Sequence, residues 1–180
     1  MQTGLSDNSE PFERRLEGIV RANCQSAEWP LDHVITDVLR LVREDLGMDV
    51  VFVARLVSDL NIVTLADSVS EELNIGGFSR PRAESFCQSV LNRRLPSVIP
   101  DVELLRNTHD VPDSPVPLRS YMAAPVLLQD GSLYGMLCFL NGQACLTRDS
   151  RDYKRLDMSA RLVAQLIDKA AGNAMAGVSK

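Results

Sequence analysis

Arg119-Ser-Tyr-Met-Ala-Ala-Pro-Val-Leu-Leu-Gln-Asp-Gly-Ser-Leu-Tyr-Gly-Met-Leu-Cys-Phe-Leu-Asn141 is two apolar runs joined by a turn. The pair Asp130-Gly131 suits the positive backbone dihedrals of a tight hairpin, so the stretch reads as two antiparallel strands. Both runs are apolar at nearly every position, and both faces of the hairpin must therefore be covered by something other than water. Alternation along the strands puts Met122, Ala124, Leu137 and Phe139 on a face that packs against helices. Tyr121, Ala123, Cys138 and Leu140 share the other face, which is expected to look into a pocket.

A second hairpin is read upstream, from Met48 to Val57 and from Asn61 to Ala66, turning at Ser58-Asp59. Period two places Val51, Val53 and Arg55 on one face and Val50, Phe52 and Leu56 on the other. The face with Arg55 is either solvated or turned toward a polar cavity. Before this hairpin, Leu31, Val34, Ile35, Val38, Leu41, Val42 and Leu46 repeat at helical spacing, and Gly47 stops the helix. An earlier helix is placed within residues 9–28, opened by Ser9-Glu10-Pro11 and striped by Phe12, Leu16, Ile19 and Val20. Residues 1–8 read as a disordered terminus.

Between the hairpins the chain passes through Gly76-Gly77. Pro81 is then expected to start a helix with Ala83, Phe86, Cys87, Val90 and Leu91 on its apolar side. Leu95-Pro-Ser-Val-Ile-Pro-Asp101 reads as an edge strand bounded by prolines. Val111 to Leu118 carries three prolines within six residues, which makes a stiff, extended cover for whatever lies beneath. After the central hairpin, Thr147 is expected to cap a helix running to about Ala171, and residues 172–180 read as a polar tail. Strands joined by hairpins, with helices at both chain ends, define an α+β fold: one antiparallel sheet with the N- and C-terminal helices on one face and loops with a short helix covering a pocket on the other.

The chain's 180 residues allow one compact domain with a sizeable core. A net charge of −5, with Lys and Arg scattered, argues against nucleic acid and against anionic membranes as partners. The N-terminal residues lack the pattern of a signal peptide and no apolar run is long enough to span a bilayer, so the expected location is cytoplasmic. Cys24, Cys87, Cys138 and Cys145 stand far apart, without Cys-x-x-Cys and without a close His. They signal neither a zinc site nor a redox pair by spacing, and His33 and His109 are isolated from one another. No cofactor or metal is expected.

With the elements in this order, Ser85-Phe-Cys-Gln-Ser-Val-Leu, Leu95-Pro-Ser-Val-Ile-Pro-Asp101 and Tyr121 to Cys138 resemble the GAF domain, a sensory fold, over about Leu31 to Lys169. The wording is similar to GAF domains that precede cyclic-di-GMP or kinase output domains in bacterial signalling proteins. The resemblance implies a central antiparallel sheet backed by helices, with loops enclosing a small pocket opposite. It also raises three sharper activities. Free methionine-R-sulfoxide reductases of this fold use cysteines near the pocket, and Cys87 stands where one of theirs would. Their acids, however, fall on Tyr121, Cys138 and Leu140, and their loop nucleophile falls near Ser114. Cyclic-nucleotide-binding members share an Asn-Lys start to a motif closed by Phe and Asp-Glu, of which this chain keeps Asn141 but reads Gly142, Leu146 and Asp149-Ser150 elsewhere. Bilin-binding members attach their chromophore through a helix Cys beside His, whereas Cys87 precedes Gln88.

The expectation from these readings is a non-catalytic regulatory domain that senses a small metabolite or cyclic nucleotide. Its ligand contacts are expected from Val51, Val53, Arg55, Phe86, Cys87, Asp101, Asp113, Tyr121, Ala123, Cys138 and Leu140. A homodimer is expected through the terminal helices, on the apolar residues Phe12, Leu16, Ile19, Val163 and Ile167. Two alternatives stand beside it: a thiol-based sensor or reductase-like enzyme using Cys87 and Cys138, and a pure dimerisation module with a vestigial pocket.

Overall fold

The computed structural model describes residues 11–23 and 30–177. The quoted stretch forms strands β5 (Ser120–Leu127) and β6 (Leu133–Asn141), and the upstream hairpin forms β1 (Val50–Val57) and β2 (Leu60–Ser68). With β3 (Ser79–Pro81) and β4 (Val98–Ile99) they make a six-stranded sheet in the order β3-β2-β1-β6-β5-β4. Every pairing is antiparallel. β1 and β6 lie at its centre, which is why most of their side chains are buried.

Helices α1 (Phe12–Asn23), α2 (Leu31–Leu46) and α5 (Ser150–Gly177) cover one face. The stripe read on α2 is buried from Val34 to Leu46, with Leu31 half-buried at its start, and Leu39 joins it. Gly47, at φ 60°, closes that helix by donating its N–H to the Arg43 and Glu44 carbonyls, the left-handed cap that glycine accepts without steric cost. Arg43 leans over the sheet edge and donates to Asp67 of β2 at 2.6 Å, fixing how α2 lies on the strands. Beneath the helices lie Val51, Val53, Met122, Ala124, Leu137 and Phe139.

The opposite face carries Val50, Phe52, Ala54, Tyr121, Ala123, Met136, Cys138 and Leu140, and it is covered by short elements: α3 (Phe86–Leu91), α4 (Val102–Arg106) and the proline-rich segment ending at Leu118.

Several local expectations are corrected. The central turn is a three-residue loop in which Leu128 accepts from the Gly131 N–H and donates its own N–H to Ser132. Gly131 alone has a positive φ there, of 83°, so the turn follows a type I geometry closed by a left-handed glycine instead of a two-residue turn. Pro81 closes β3 rather than opening a helix; α3 starts later because the Ser85 side chain accepts from the Gln88 N–H. Asp149, not Thr147, caps α5, accepting from the N–H groups of Arg151 and Asp152. That helix runs through the expected tail to Gly177, since the alanine-rich sequence after Lys169 favours helix strongly enough to absorb Gly172. Residues 1–8, the Ser9-Glu10 cap, residues 24–28 of the first helix and Cys24 lie outside the described residues.

The residues on which a dimer was expected are largely spent inside the molecule. Phe12, Leu16 and Val163 are buried in the core with α2, and Ile19 and Ile167 pack against it half-buried. Among the described residues no helix is long and apolar enough to cross a membrane.

Candidate functional site

On the sheet face away from the long helices, the pairing brings Cys138 beside Phe52 on one side and beside Ala123 on the other. Helix α3 lays Phe86 and Cys87 over this patch, and the Phe86 and Tyr121 rings meet at 4.9 Å, tilted by 38°. A cavity of about 40 Å³ remains between β1, β2, α3 and the segment running through Ser114 to Leu118. Its wall is mainly apolar (Phe52, Val63, Ile75, Phe86, Leu118, Leu140), with Asn61, Arg80, Cys87, Ser114 and Tyr121 supplying the polar groups.

Two of those polar groups are unusual. Asn61 Oδ1 and Arg80 Nε are both shut off from solvent and find no hydrogen-bond partner among the described residues. A buried unpaired polar atom costs about 1–3 kcal/mol, so two in one small space mark a place built for something polar. The remainder of the Arg80 guanidinium is anchored, donating to the Asp113 carbonyl of the proline-rich loop and lying 5.7 Å over the Phe78 ring. Arg80 thereby ties the loop down over the cavity.

From the cavity wall a buried polar trio runs into the core, with Cys87 and Tyr121 at the wall and Cys138 behind them. The Cys87 and Cys138 sulfurs are 3.5 Å apart, the Tyr121 hydroxyl donates to Cys138 at 3.3 Å, and it stands 3.9 Å from Cys87. Burial pushes the Tyr121 hydroxyl well above its usual range, and the neighbouring thiols push it the same way. Burial raises the Cys138 thiol as well. Cys87 is held below the ordinary thiol value, chiefly by the hydrogen bond from Cys138 acting against burial, with Asn61 and Tyr121 also contributing. The two thiols are thus unequal, Cys87 being the readier to ionise.

Of the residues expected at a site, Phe86, Cys87, Tyr121 and Leu140 line the cavity, and Cys138 stands directly behind Cys87. Ala123 is on the correct face, within the packed layer beside Cys138. The others are elsewhere. Val51 and Val53 belong to the helix-covered face. Arg55, on that same face, is exposed, with its guanidinium 5.2 Å over the Tyr134 ring. Asp101 caps α4 through the Glu103 N–H and takes a two-pronged ion pair from Arg119, at 2.9 and 2.7 Å, which holds its carboxyl below the usual range. Asp113 offers the cavity only its backbone, through Arg80; its side chain borders an open surface cleft with Glu84, Arg94 and His109. That cleft is larger, but it holds no buried, unpaired polar atom. Sequence reasoning missed Asn61 and Arg80 altogether; a lone Asn in an apolar strand was a visible signal for the first, whereas Arg80, between Ser79 and Pro81-Arg82, carried none.

An antiparallel sheet with helices packed on one face and a small, loop-covered, partly polar cavity on the other is the plan of a regulatory sensing domain. The family model of the GAF domain matches residues 30–167, and the chain belongs to that family. Among curated proteins no relative matches the sequence. Solved structures share the fold. The GAF domain of a phosphoenolpyruvate-protein phosphotransferase from Acinetobacter superposes with a TM-score of 0.68 at 16% identity, covering 89% of this chain and 94% of that one. The phycoerythrobilin-bound GAF domain of a cyanobacterial phytochrome gives 0.68 at 21% identity, over 91% and 97%. A bacteriophytochrome from R. palustris gives 0.63 at 18% identity over 90% of this chain, which spans 38% of that longer one.

Proposed function

We propose that this chain is a sensory domain, without catalytic turnover of its own, that binds a small polar molecule between the sheet and the Ser114–Leu118 cover and passes its presence on to a regulated partner. The observation that carries this reading is that two residues lining one cavity, Asn61 and Arg80, each keep a buried, unpaired polar atom, Oδ1 and Nε. Together they offer an acceptor and a charged donor to a ligand bearing the complementary groups. At about 40 Å³ the cavity holds one or two heavy atoms, whereas pockets for metabolites or cyclic nucleotides run to roughly 300–1,000 Å³. A larger ligand therefore enters by lifting the proline-rich loop, which breaks the Arg80–Asp113 tie and couples occupancy to a visible change of surface. The setting is cytoplasmic, where free thiols stay reduced.

A thermal-shift screen of nucleotides, cyclic nucleotides and polar metabolites against the reduced protein tests this. One ligand class raises the melting temperature, and Arg80→Met abolishes the shift; saturation at one hundred times Kd corresponds to about 2.7 kcal/mol. No stabilisation by any class, or an undiminished shift in Arg80→Met, ends the reading.

The same proposal includes a homodimer through the terminal helices. It is supported by a groove between α1 and α5 whose floor is Leu16, Val20, Met158 and Leu162 and whose rim carries both Glu17 and Arg161. Charges of both signs beside an apolar strip suit a self-complementary, two-fold contact.

A further inference from the structure

We propose that Cys87 and Cys138 form an oxidisable dithiol, with the 40 Å³ cavity as the binding place of hydrogen peroxide and Cys87 as the atom it oxidises first. Two thiols held 3.5 Å apart on different elements, α3 and β6, need a shift of about 1.5 Å to reach disulfide bonding distance. Sequence separation hides this pairing and only the packing of α3 on the sheet creates it.

Size and polarity both select the oxidant. Against the roughly 300–1,000 Å³ of pockets that take drug-sized ligands, about 40 Å³ is room for a molecule as small as hydrogen peroxide and not for a bulky organic hydroperoxide. Hydrogen peroxide both donates and accepts hydrogen bonds, which matches Asn61 Oδ1 as acceptor and Arg80 Nε–H as donor. Cys87 lines the cavity, while Cys138, fully buried, lies behind it and meets the oxidant only through Cys87.

The chemistry balances in two steps. The Cys87 thiolate attacks one peroxide oxygen: an S–O bond forms, the O–O bond breaks, and Cys87 becomes a sulfenic acid. The departing hydroxide, facing Arg80, leaves as water after taking the proton released by the Cys87 thiol. Cys138 then attacks the Cys87 sulfur; the S–S bond forms, the S–O bond breaks, and the sulfenic oxygen leaves as a second water with the Cys138 proton. Overall two thiols and one hydrogen peroxide give one disulfide and two waters. The hydroxyl of Tyr121 donates to Cys138 at 3.3 Å and must follow that sulfur as it moves toward Cys87, so oxidation disturbs the packing beneath α3. This site shares its cavity with the sensing reading above but does not depend on ligand binding there.

The test uses the full chain with Cys24→Ser and Cys145→Ser, leaving only the pair. Treatment with stoichiometric hydrogen peroxide is expected to remove two hydrogens per monomer, with non-reducing peptide mapping linking the Cys87 and Cys138 peptides within one chain. Cumene hydroperoxide is expected to react at least tenfold more slowly. Adding Cys138→Ala should stop the reaction at a sulfenic acid on Cys87, trapped by dimedone. If thiols at both positions survive peroxide in the folded protein, or if the two hydroperoxides react at equal rates, the proposal is wrong. The mapping in the Cys24→Ser, Cys145→Ser chain decides even if the Cys138→Ala variant fails to fold. A thermal shift with a metabolite alongside inert thiols would overturn only the dithiol, and the converse result would overturn only the metabolite reading.

Discussion

Gly135 shows how a single residue fixes the sheet. A Cβ built there would fall 1.9 Å from the Ala54 carbonyl oxygen of the neighbouring strand, a backbone atom that has no rotamer to yield. Gly135→Ala is therefore expected to cost about 1–3 kcal/mol, as overpacking of a well-filled interior does, and denaturant titration would show it as a lower midpoint. The residue scale is also where sequence reading of the site went astray. Arg55 drew attention to its face of β1 because a polar residue in an apolar strand suggests a cavity, yet it lies at the strand's exposed end over Tyr134. Phe52, one step out of phase, is the residue that meets Cys138. A one-residue choice of face exchanges every neighbour, and nothing within an apolar strand says which face is which.

Among elements, the join between α2 and α5 depends on Arg148. Its side chain is only 8% exposed, and it donates to the Leu46 carbonyl at 2.6 Å while pairing with Asp152 at 3.4 Å. It thus satisfies an end-carbonyl of α2 and anchors the first turn of α5 at once. Arg148→Met keeps the bulk and removes the charged donor; a loss of about 1.5–3 kcal/mol is expected, which lowers the melting temperature by roughly 3–12 °C for a chain of this size. Calorimetry on the two proteins checks it. The helices and central strands were legible in sequence because long periodic patterns dominate their formation. The three-residue hairpin loop and the late start of α3 were not, because each depends on one particular hydrogen bond, from the Gly131 N–H to the Leu128 carbonyl and from the Gln88 N–H to the Ser85 hydroxyl.

For the molecule as a whole, the proposed two-fold contact along the α1–α5 groove predicts a dimer by light scattering and a monomer for Leu162→Glu, with the far-ultraviolet circular dichroism unchanged; a monomeric parent protein would end that proposal. The sequence by itself determined the class of fold, the two hairpins and the inward faces of the helices, because hydrophobic periodicity is local and an amphipathic helix states its own inward face. Only the tertiary structure decided what the sheet face away from the helices holds. Asn61, Arg80 and Cys87 come from separate segments, and Cys87 meets Cys138 across fifty-one positions of sequence. Their meeting depends on strand register and on where the short α3 comes to rest, and neither is set by any pattern within the segments that supply them.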